Sequence, residues 1–454
     1  MSSWKCEVKL RQLTPLIHFQ AEQPQATLRA TEVKPKLDRF LLWYLAPERF
    51  SGILSGKDEK NLLLGIARSK KWLLPMGQGD GSAALNYKMQ IRAIDWNKVK
   101  LKENKVNMGA YFSVGNDEKM GVLSTELINL TVICFNEELL GKIKEVLPMF
   151  FAVHNFGFRQ NKGFGSFLVS DGSGENSLDK REDLVKKYVQ MINQNDNLQI
   201  GLYELEFKNN RCVGYRDVLN MIANFHQHIK SGINHKVYKP SKLLKEYIPN
   251  TDKNIENEKK MMKYMLQDKL GDKFSLISKQ NKKENQENFE YANCKYVRGV
   301  LGFANHYTFT LEKRDENNKF NKINVRFKLS SENIKRFSSP LYFLPVDNGS
   351  GKFKKCLILL NNSSLQRLYK QKPLIKIKAE LEANKRYREK IDEELKEKIE
   401  SIEEVNLELP RKFDLIEFFK FLEKVQGYSF IYQKDNNQYQ LHRIDKNGDG
   451  VDNG

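Results

Sequence analysis

No apolar run in this 454-residue chain approaches the roughly 18 residues that a bilayer-spanning helix requires, and MSSWKCEVKLR at its start carries no apolar stretch of the secretory kind. The expectation is a soluble, cytoplasmic protein with no membrane partner. Cysteine is scarce: Cys6, Cys134, Cys212, Cys294 and Cys356 are odd in number and never spaced C-x-x-C. That excludes a disulfide framework and a structural zinc site, and leaves reduced, mostly buried thiols. There is no G-x-x-x-x-G-K-[ST], no H-E-x-x-H and no Ser/His/Asp order, so no cofactor is expected. DKNGDG at 445–450 begins like a calcium loop but has no glutamate at the twelfth position, and it is read as a polar tail. Acidic residues are also short: 76 Lys and Arg against 57 Asp and Glu leave 76 − 57 = +19, with a pI near 9.4. Such a balance suits a polyanionic partner, RNA or DNA first among them, although a Lys- and Asn-rich composition also arises from genome bias.

What is present is an ordered run of short elements. Residues 5–19 alternate as a strand that weakens at Thr14-Pro15. A helix follows with Pro35 in its first turn, Leu37, Phe40, Leu41 and Tyr44 at helical spacing, and Pro47 at its end. Residues 87–95 and 128–135 read as strands, 137–152 as a helix with Leu140, Ile143, Leu147 and Phe150 on one face, and 166–170 as a last strand. The order β, α, β, β, α, β is that of the ferredoxin-like split βαβ unit, with an insertion after its first helix. A polar linker at 170–184 leads to a looser repeat of the order. It comprises a strand at 198–207, a helix at 215–229, strands near 296–311, 324–329, 341–346 and 356–360, a helix at 413–425 and a hairpin at 428–443. The expected fold class is therefore α+β, tandem ferredoxin-like (RRM-like) domains with insertions. They divide as 1–175 and 176–454, and the second carries a Lys-rich insertion or mobile arm at about 250–290 and a charged helix at about 379–404.

One stretch concentrates unusual residues. HNFGFRQNKGFGSF, 154–167, follows the second helix and holds Gly157, Gly163 and Gly165, the cations Arg159 and Lys162, and the rings of Phe158 and Phe164. Glycines allow a phosphate or sugar to approach the main chain, the cations supply charge, and the rings stack on bases or anchor the loop. The alternative is a helix C-cap glycine followed by an aromatic-rich strand.

With TPLIHF at 14–19 and LRATEVKPKLDRFL at 28–41, this stretch resembles the signature of the RAMP superfamily of CRISPR RNA-binding proteins. RFSSPLYF at 336–343 is similar to a segment of the large two-domain terminal subunit of the type III-B (Cmr) effector complex. The resemblance implies a non-catalytic RNA-binding subunit of a type III effector ribonucleoprotein in antiviral defence. Its partners would be CRISPR guide RNA, target RNA and other RAMP subunits, and it would hold the guide's 3′ region and the guide–target duplex. It places Arg29, Lys34 and Arg336 at the RNA. Pro35 and Asp38 stand where the family has glycine and a cation, which moves the first-helix contact toward Lys36 and Arg39.

A further basic stretch, 228–247, interleaves Lys230, His235, Lys236, Tyr238 and Lys239 in a pattern suited to a loop gripping a nucleic-acid strand, or to a solvated helix end. Arg298 beside Gly299 is a candidate for the same groove. The rival function is a metal-independent CRISPR repeat-processing endoribonuclease with His18 or His154 as its acid–base group. Both histidines, flanked by apolar residues, also suit half-buried packing. Asp80, Asp95 and Asp117 are possible catalytic carboxylates that nothing in their spacing singles out.

Overall fold

In the computed structural model, the strand β1 (Lys5–Gln12) buries Cys6 and Leu10 while Lys5, Glu7, Lys9 and Arg11 point the other way, the period-2 pattern of a half-covered strand. The structure describes residues 4–17, 27–45, 56–74, 84–100, 102–103, 106–107, 120–170, 177–194, 200–208, 212–235, 237–239, 241–251, 254–270, 274–276, 291–304, 306–314, 320–334, 337–382, 393–410, 413–425, 430–432 and 437–444. The protein is of mixed helix and sheet, with several antiparallel sheets. It divides into two compact units: 1–227 with 341–363 and 415–454, and 228–340 with 364–414.

The first unit holds two larger sheets beside two-stranded pieces within 97–123. β1 is followed by α1 (Ala30–Leu45), β2 (Lys88–Arg92), β3 (Ile128–Ile133), α2 (Glu137–Val153) and β4 (Phe167–Ser170). The strands pair antiparallel in the order β2-β3-β1-β4, with Lys5 opposite Ile133 and Lys9 opposite Ser170. α2 starts where Asn136 accepts the Leu139 N–H at 2.9 Å with Glu137 and Glu138 in its first turn, a capped and dipole-complemented end. Its apolar stripe packs with α1 on the face carrying Leu10, Leu130 and Val132. There Phe40, Phe150, Phe151, Phe156 and Phe167 make a chain of ring contacts with centroids 5.2 to 5.9 Å apart.

After α3 (Ser177–Asn193), the chain forms β5 (Ile200–Phe207), α4 (Tyr215–Ser231), β6 (Leu341–Asp347), β7 (Phe353–Asn361), α5 (Leu415–Lys424) and β8 (Asn437–Arg443). The sheet order is β6-β7-β5-β8, with Phe430–Tyr432 added beside β8, again antiparallel throughout. Chain order and sheet order are thus the same in both halves of this unit. The second unit is built from a five-stranded antiparallel sheet, Phe274–Leu276, His306–Arg314, Phe320–Ser330, Ile375–Glu382 and Val405–Leu407, with helices that include Glu258–Leu270 and Glu393–Glu400.

Several elements depart from the sequence reading. α1 begins at Ala30, where the Arg29 carbonyl accepts from Glu32 and Val33, so Pro35 lies inside the helix and not in its first turn. The supposed linker becomes helical at Ser177, because Arg181, Val185, Val189 and Ile192 bury one face. Within 250–290, Glu258–Leu270 is a packed helix burying Met261, Met262, Met265 and Leu266, capped by Asn257 on the Lys260 N–H. Residues 296–311 split into a 3-10 turn, Val297–Leu301, and a strand. The start of the expected charged helix is strand Ile375–Glu382, with Ile375, Ile377 and Ala379 buried, and only Glu393–Glu400 is helical. Cys6, Cys134, Cys294 and Cys356 are buried free thiols, and Cys212 is half-buried.

Candidate nucleic-acid interface

The glycine-rich stretch is a tight bend tied on both sides. α2 ends at Val153 because His154 is extended, so no glycine caps it. Phe156 N–H donates to the Gly165 carbonyl at 2.8 Å, Gly165 N–H to the Pro15 carbonyl at 2.9 Å, and Phe158 N–H to the Ile17 carbonyl at 2.7 Å. Thr14 Oγ1 donates to the Gly163 carbonyl at 2.6 Å and accepts from Ser166 N–H at 3.0 Å. On the other side Asn155 N–H donates to the Tyr342 hydroxyl at 2.7 Å and Asn155 Nδ2 to the Phe343 carbonyl at 2.9 Å, while Lys162 bridges Phe343. The bend therefore welds the start of β4 to β6 of the second sheet. Asn155, Tyr342 and Thr14 lie within the quoted motifs, but nothing in the sequence assigns them a role in tying the bend, since these partners lie far along the chain.

Gly157, Gly163 and Gly165 have φ of 77°, 83° and 63°. A Cβ on Gly165 would stand 2.0 Å from the Phe156 carbonyl oxygen, and one on Gly157 2.5 Å from that of Ile17. One on Gly163 would meet Ile222 and Pro345. These glycines and Phe164 are buried, so their freedom serves a close approach within the protein and not the approach of a phosphate. Phe164, at 1% exposure, is a core ring and not a stacking platform.

Within the turn 158–162 only Phe158 is exposed, while Arg159 and Lys162 are half-buried, with Arg159 Nε and the Lys162 ammonium shielded from solvent. Phe158 is 37% exposed, with the Arg159 guanidinium 5.5 Å from its ring centroid. Arg159 itself sits at φ 58°, a left-handed position unfavourable for a side-chain-bearing residue. Burial lowers its guanidinium to about 10, still charged at neutral pH. Lys162 N–H closes the turn on the Arg159 carbonyl at 2.8 Å, and its ammonium lies 5.6 Å from the Phe343 centroid. Lys36 joins them, donating to Gln160 Oε1 at 2.6 Å and lying 4.7 Å from the Phe156 centroid. Burial lowers its pKa, opposed by Glu32. Arg39 is exposed one turn further along α1, and Arg29 is half-buried at its start.

Other candidates have different surroundings. Lys34 pairs with Asp38 at 2.8 Å, donates to the Leu85 carbonyl at 2.9 Å and lies 4.0 Å from the Tyr87 centroid, while Tyr87 donates to Asp38 at 2.6 Å. Asp38 is thus the buried partner that holds the entry to β2 on α1, which accounts for an acid where the resemblance leads to a cation. His154 packs against Phe150 and Phe40, and its Nδ1–H donates to the Phe150 carbonyl at 2.9 Å. Desolvation holds it near 4, neutral at physiological pH and poorly placed as an acid–base group. His18, Asp80, Asp117, Lys236 and Arg336 lie outside the described residues, and Asp95 is exposed with its carboxylate accepting from Thr125 at 2.6 Å.

In the second unit, Arg298 is 5% exposed, paired with the fully buried Glu258 and 4.0 Å from the Tyr307 centroid, so it is a core ion pair and not a groove cation. Lys230 donates to the Gly302 carbonyl at 2.6 Å, and burial together with Arg298 lowers it to about 7. His235, Tyr238 and Lys239 belong to a two-stranded hairpin in which His235 pairs with Val237 and Asn234 with Tyr238.

Arg181 escaped notice because it sat in an apparently polar linker. Fully buried, it donates from Nε to the Ala152 carbonyl at 3.1 Å and from a terminal nitrogen to Ser166 Oγ at 2.8 Å and the Pro345 carbonyl. It thus braces both flanks of the bend from behind. Its helical spacing to Val185, Val189 and Ile192 was the signal.

Comparison with known proteins adds a family. A model of the Cmr1 N-terminal domain matches residues 3–233, and one of the Cmr1 C-terminal domain matches 238–443. Among solved structures, the chain is similar to apo Cmr1 from Pyrococcus furiosus, at 10% identity over 79% of this chain and 88% of that one, with a TM-score of 0.34. No curated protein matches.

Proposed function

This chain belongs to the Cmr1 family of type III-B CRISPR effector subunits, and we propose that it is a non-catalytic RNA-binding subunit that grips the guide RNA's 3′ region and the guide–target duplex. It acts in the cytoplasm with other RAMP subunits as neighbours. We further read the first unit as two ferredoxin-like modules dividing near residue 175, supported by the shared order β2-β3-β1-β4 and β6-β7-β5-β8. The second module carries the inserted segments 228–340 and 364–414.

The observation that carries the function is the braced turn 158–162, where the half-buried cations Arg159 and Lys162 flank the exposed Phe158. Arg159, Lys162 and Phe158 stand on main chain held by eight or so cross-links of the kinds above, so the cations are preorganised with little ordering left to do on binding. A rigid cationic turn reads backbone geometry, while sequence is left to base pairing in the RNA. In the combined variant Arg159→Ala/Lys162→Ala, the salt slope of RNA affinity should fall by roughly 1 to 2, at ~0.7 per neutralised single-strand phosphate. An unchanged slope would remove the turn from the interface. Purification from the native host should bring down guide RNA and sister subunits. The nuclease reading requires cleavage of repeat RNA in EDTA that His18→Ala or His154→Ala abolishes.

A further inference from the structure

The first sheet has a second face that the bend does not use. Alternation sends Lys5, Glu7, Lys9 and Arg11 of β1 away from the helices, and the register sets Lys88 and Lys5 on either side of Ile133, and Arg92 and Lys9 on either side of Asn129. This face thus carries five cations and one carboxylate, Glu7. Lys5 is paired with Glu7, and Arg11 with Asp347 at 3.0 Å. Lys9, Lys88 and Arg92 are exposed, and among the described residues no carboxylate pairs with them. Asn129, Thr131 and Gln90 fill the spaces between. The two cationic rows are about 13 Å apart, four residues at ~3.3 Å each.

At the end of this strand pair, one residue before Lys5 and two beyond Ile133, is a second feature. Trp4, 43% exposed, and Phe135, 85% exposed, stack with centroids 6.2 Å apart and planes at 28°, fixed where Cys134 N–H donates to the Trp4 carbonyl at 2.9 Å. An aromatic pair left in water costs free energy unless something covers it. Unpaired cations with an exposed ring platform are the two parts of a sequence-tolerant single-strand site, one for the phosphates and one for a base.

We propose that this open sheet face, with Lys9, Lys88 and Arg92 as its phosphate contacts and Trp4–Phe135 as its stacking platform, is a second binding surface for single-stranded RNA, distinct from the turn 158–162. A four-stranded sheet face offers a flat track on which a strand lies with its bases splayed. Charge complementarity favours a polyanion here, and the aromatic pair favours one with bases over an acidic protein surface.

The test uses the full chain and a fluorescein-labelled, single-stranded uridine 20-mer followed by anisotropy from 50 to 200 mM salt. Lys9→Ala/Lys88→Ala/Arg92→Ala should lower the salt slope by about 2, three contacts at ~0.7, so that the wild type's affinity advantage shrinks about 20-fold across that range. Trp4→Ala/Phe135→Ala should weaken binding about 5- to 100-fold with the slope unchanged, the signature of lost stacking. A matched control, Lys142→Ala/Lys144→Ala/Lys187→Ala on the helical layer, removes the same charge and should leave the slope within about half a unit. Unchanged affinity in both face variants, equal slope loss in the control, or loss of an acidic protein partner with RNA binding intact would each overturn the proposal. The Arg159→Ala/Lys162→Ala variant separates the two surfaces, since either can fail alone.

Discussion

Replacing Gly165 by alanine discriminates between two uses of the glycine-rich bend. If the glycine is there for an incoming phosphate, alanine lowers RNA affinity and leaves stability alone. The geometry gives the opposite emphasis. At φ 63° an alanine costs about 1–2 kcal/mol. Its Cβ, 2.0 Å from the Phe156 carbonyl oxygen, must also push the two strands of the bend apart. That breaks the 2.8 Å bond from Phe156 N–H to the Gly165 carbonyl, worth about 1 kcal/mol. Alanine's smaller unfolded-state entropy returns about 0.5 kcal/mol, leaving a net loss of roughly 2 kcal/mol. Thermal melting should show a fall of about 4–8 °C in the transition of the first unit. Gly141→Ala is the control: it lies on the exposed face of α2 with nothing near its Cβ position, and alanine there should stabilise by about 0.5–1 kcal/mol. RNA affinity of Gly165→Ala should drop as well, because Arg159 and Lys162 ride on the displaced turn. Wild-type melting in Gly165→Ala would refute the internal-packing account of the bend.

Two further outcomes follow from buried groups. Asp38→Ala strands Lys34 and the Tyr87 hydroxyl, and should cost about 2–4 kcal/mol by thermal melting while leaving the salt slope of RNA binding unchanged, since Lys34 is engaged internally. His154, lowered to about 4 in the folded state against ~6.5 unfolded, contributes stability that is present above pH 6.5 and lost as pH falls toward 4. Urea midpoints should therefore report about 2 kcal/mol less stability at pH 5 than at pH 7, a loss absent in His154→Leu.

The first sheet was legible in the sequence because its signals are local. Period-2 burial in KCEVKLRQ and INLTVI and the Asn136 cap before an apolar stripe need no distant partner. α3 was not, because its inward face carries Arg181, a residue whose charge reads as solvent-facing until the carbonyls that accept from it are known. Ile375–Glu382 alternates Ile375, Ile377 and Ala379 inward, yet its lysines and glutamates are good helix formers, and pairing with Phe320–Ser330 overrode that propensity. The cations of the bend were visible, but not what fills the space beside its glycines. Asn155 meets Tyr342 across 187 residues, a contact that no local pattern encodes. The open-face lysines were hidden for a different reason: alternation shows which residues share a face, and only burial shows which face is left uncovered.

The position of the inserted segments leads to a last expectation. Residues 228–340 take up the last turn of α4 and the connection from it to β6, and 364–414 lie in the connection from β7 to α5. The ends they leave are close. The His226 ring centroid is 6.4 Å from that of Phe343, and Leu415 N–H donates to Asn362 Oδ1 at 3.4 Å. Both gaps are therefore within reach of linkers of about five glycine and serine residues, ~5–6 Å × √n in mean span. Replacing a 113-residue connection, 340 − 228 + 1, by five residues also lessens the loop-closure cost by roughly 3 kcal/mol. A chain of 1–227, 341–363 and 415–454 joined in this way should melt cooperatively and keep the salt slope contributed by Arg159, Lys162 and the open face, losing only what the 228–247 stretch adds. A non-cooperative melt, or loss of the Gly165→Ala effect in this background, would mean that the two sheets depend on the inserted segments for their packing.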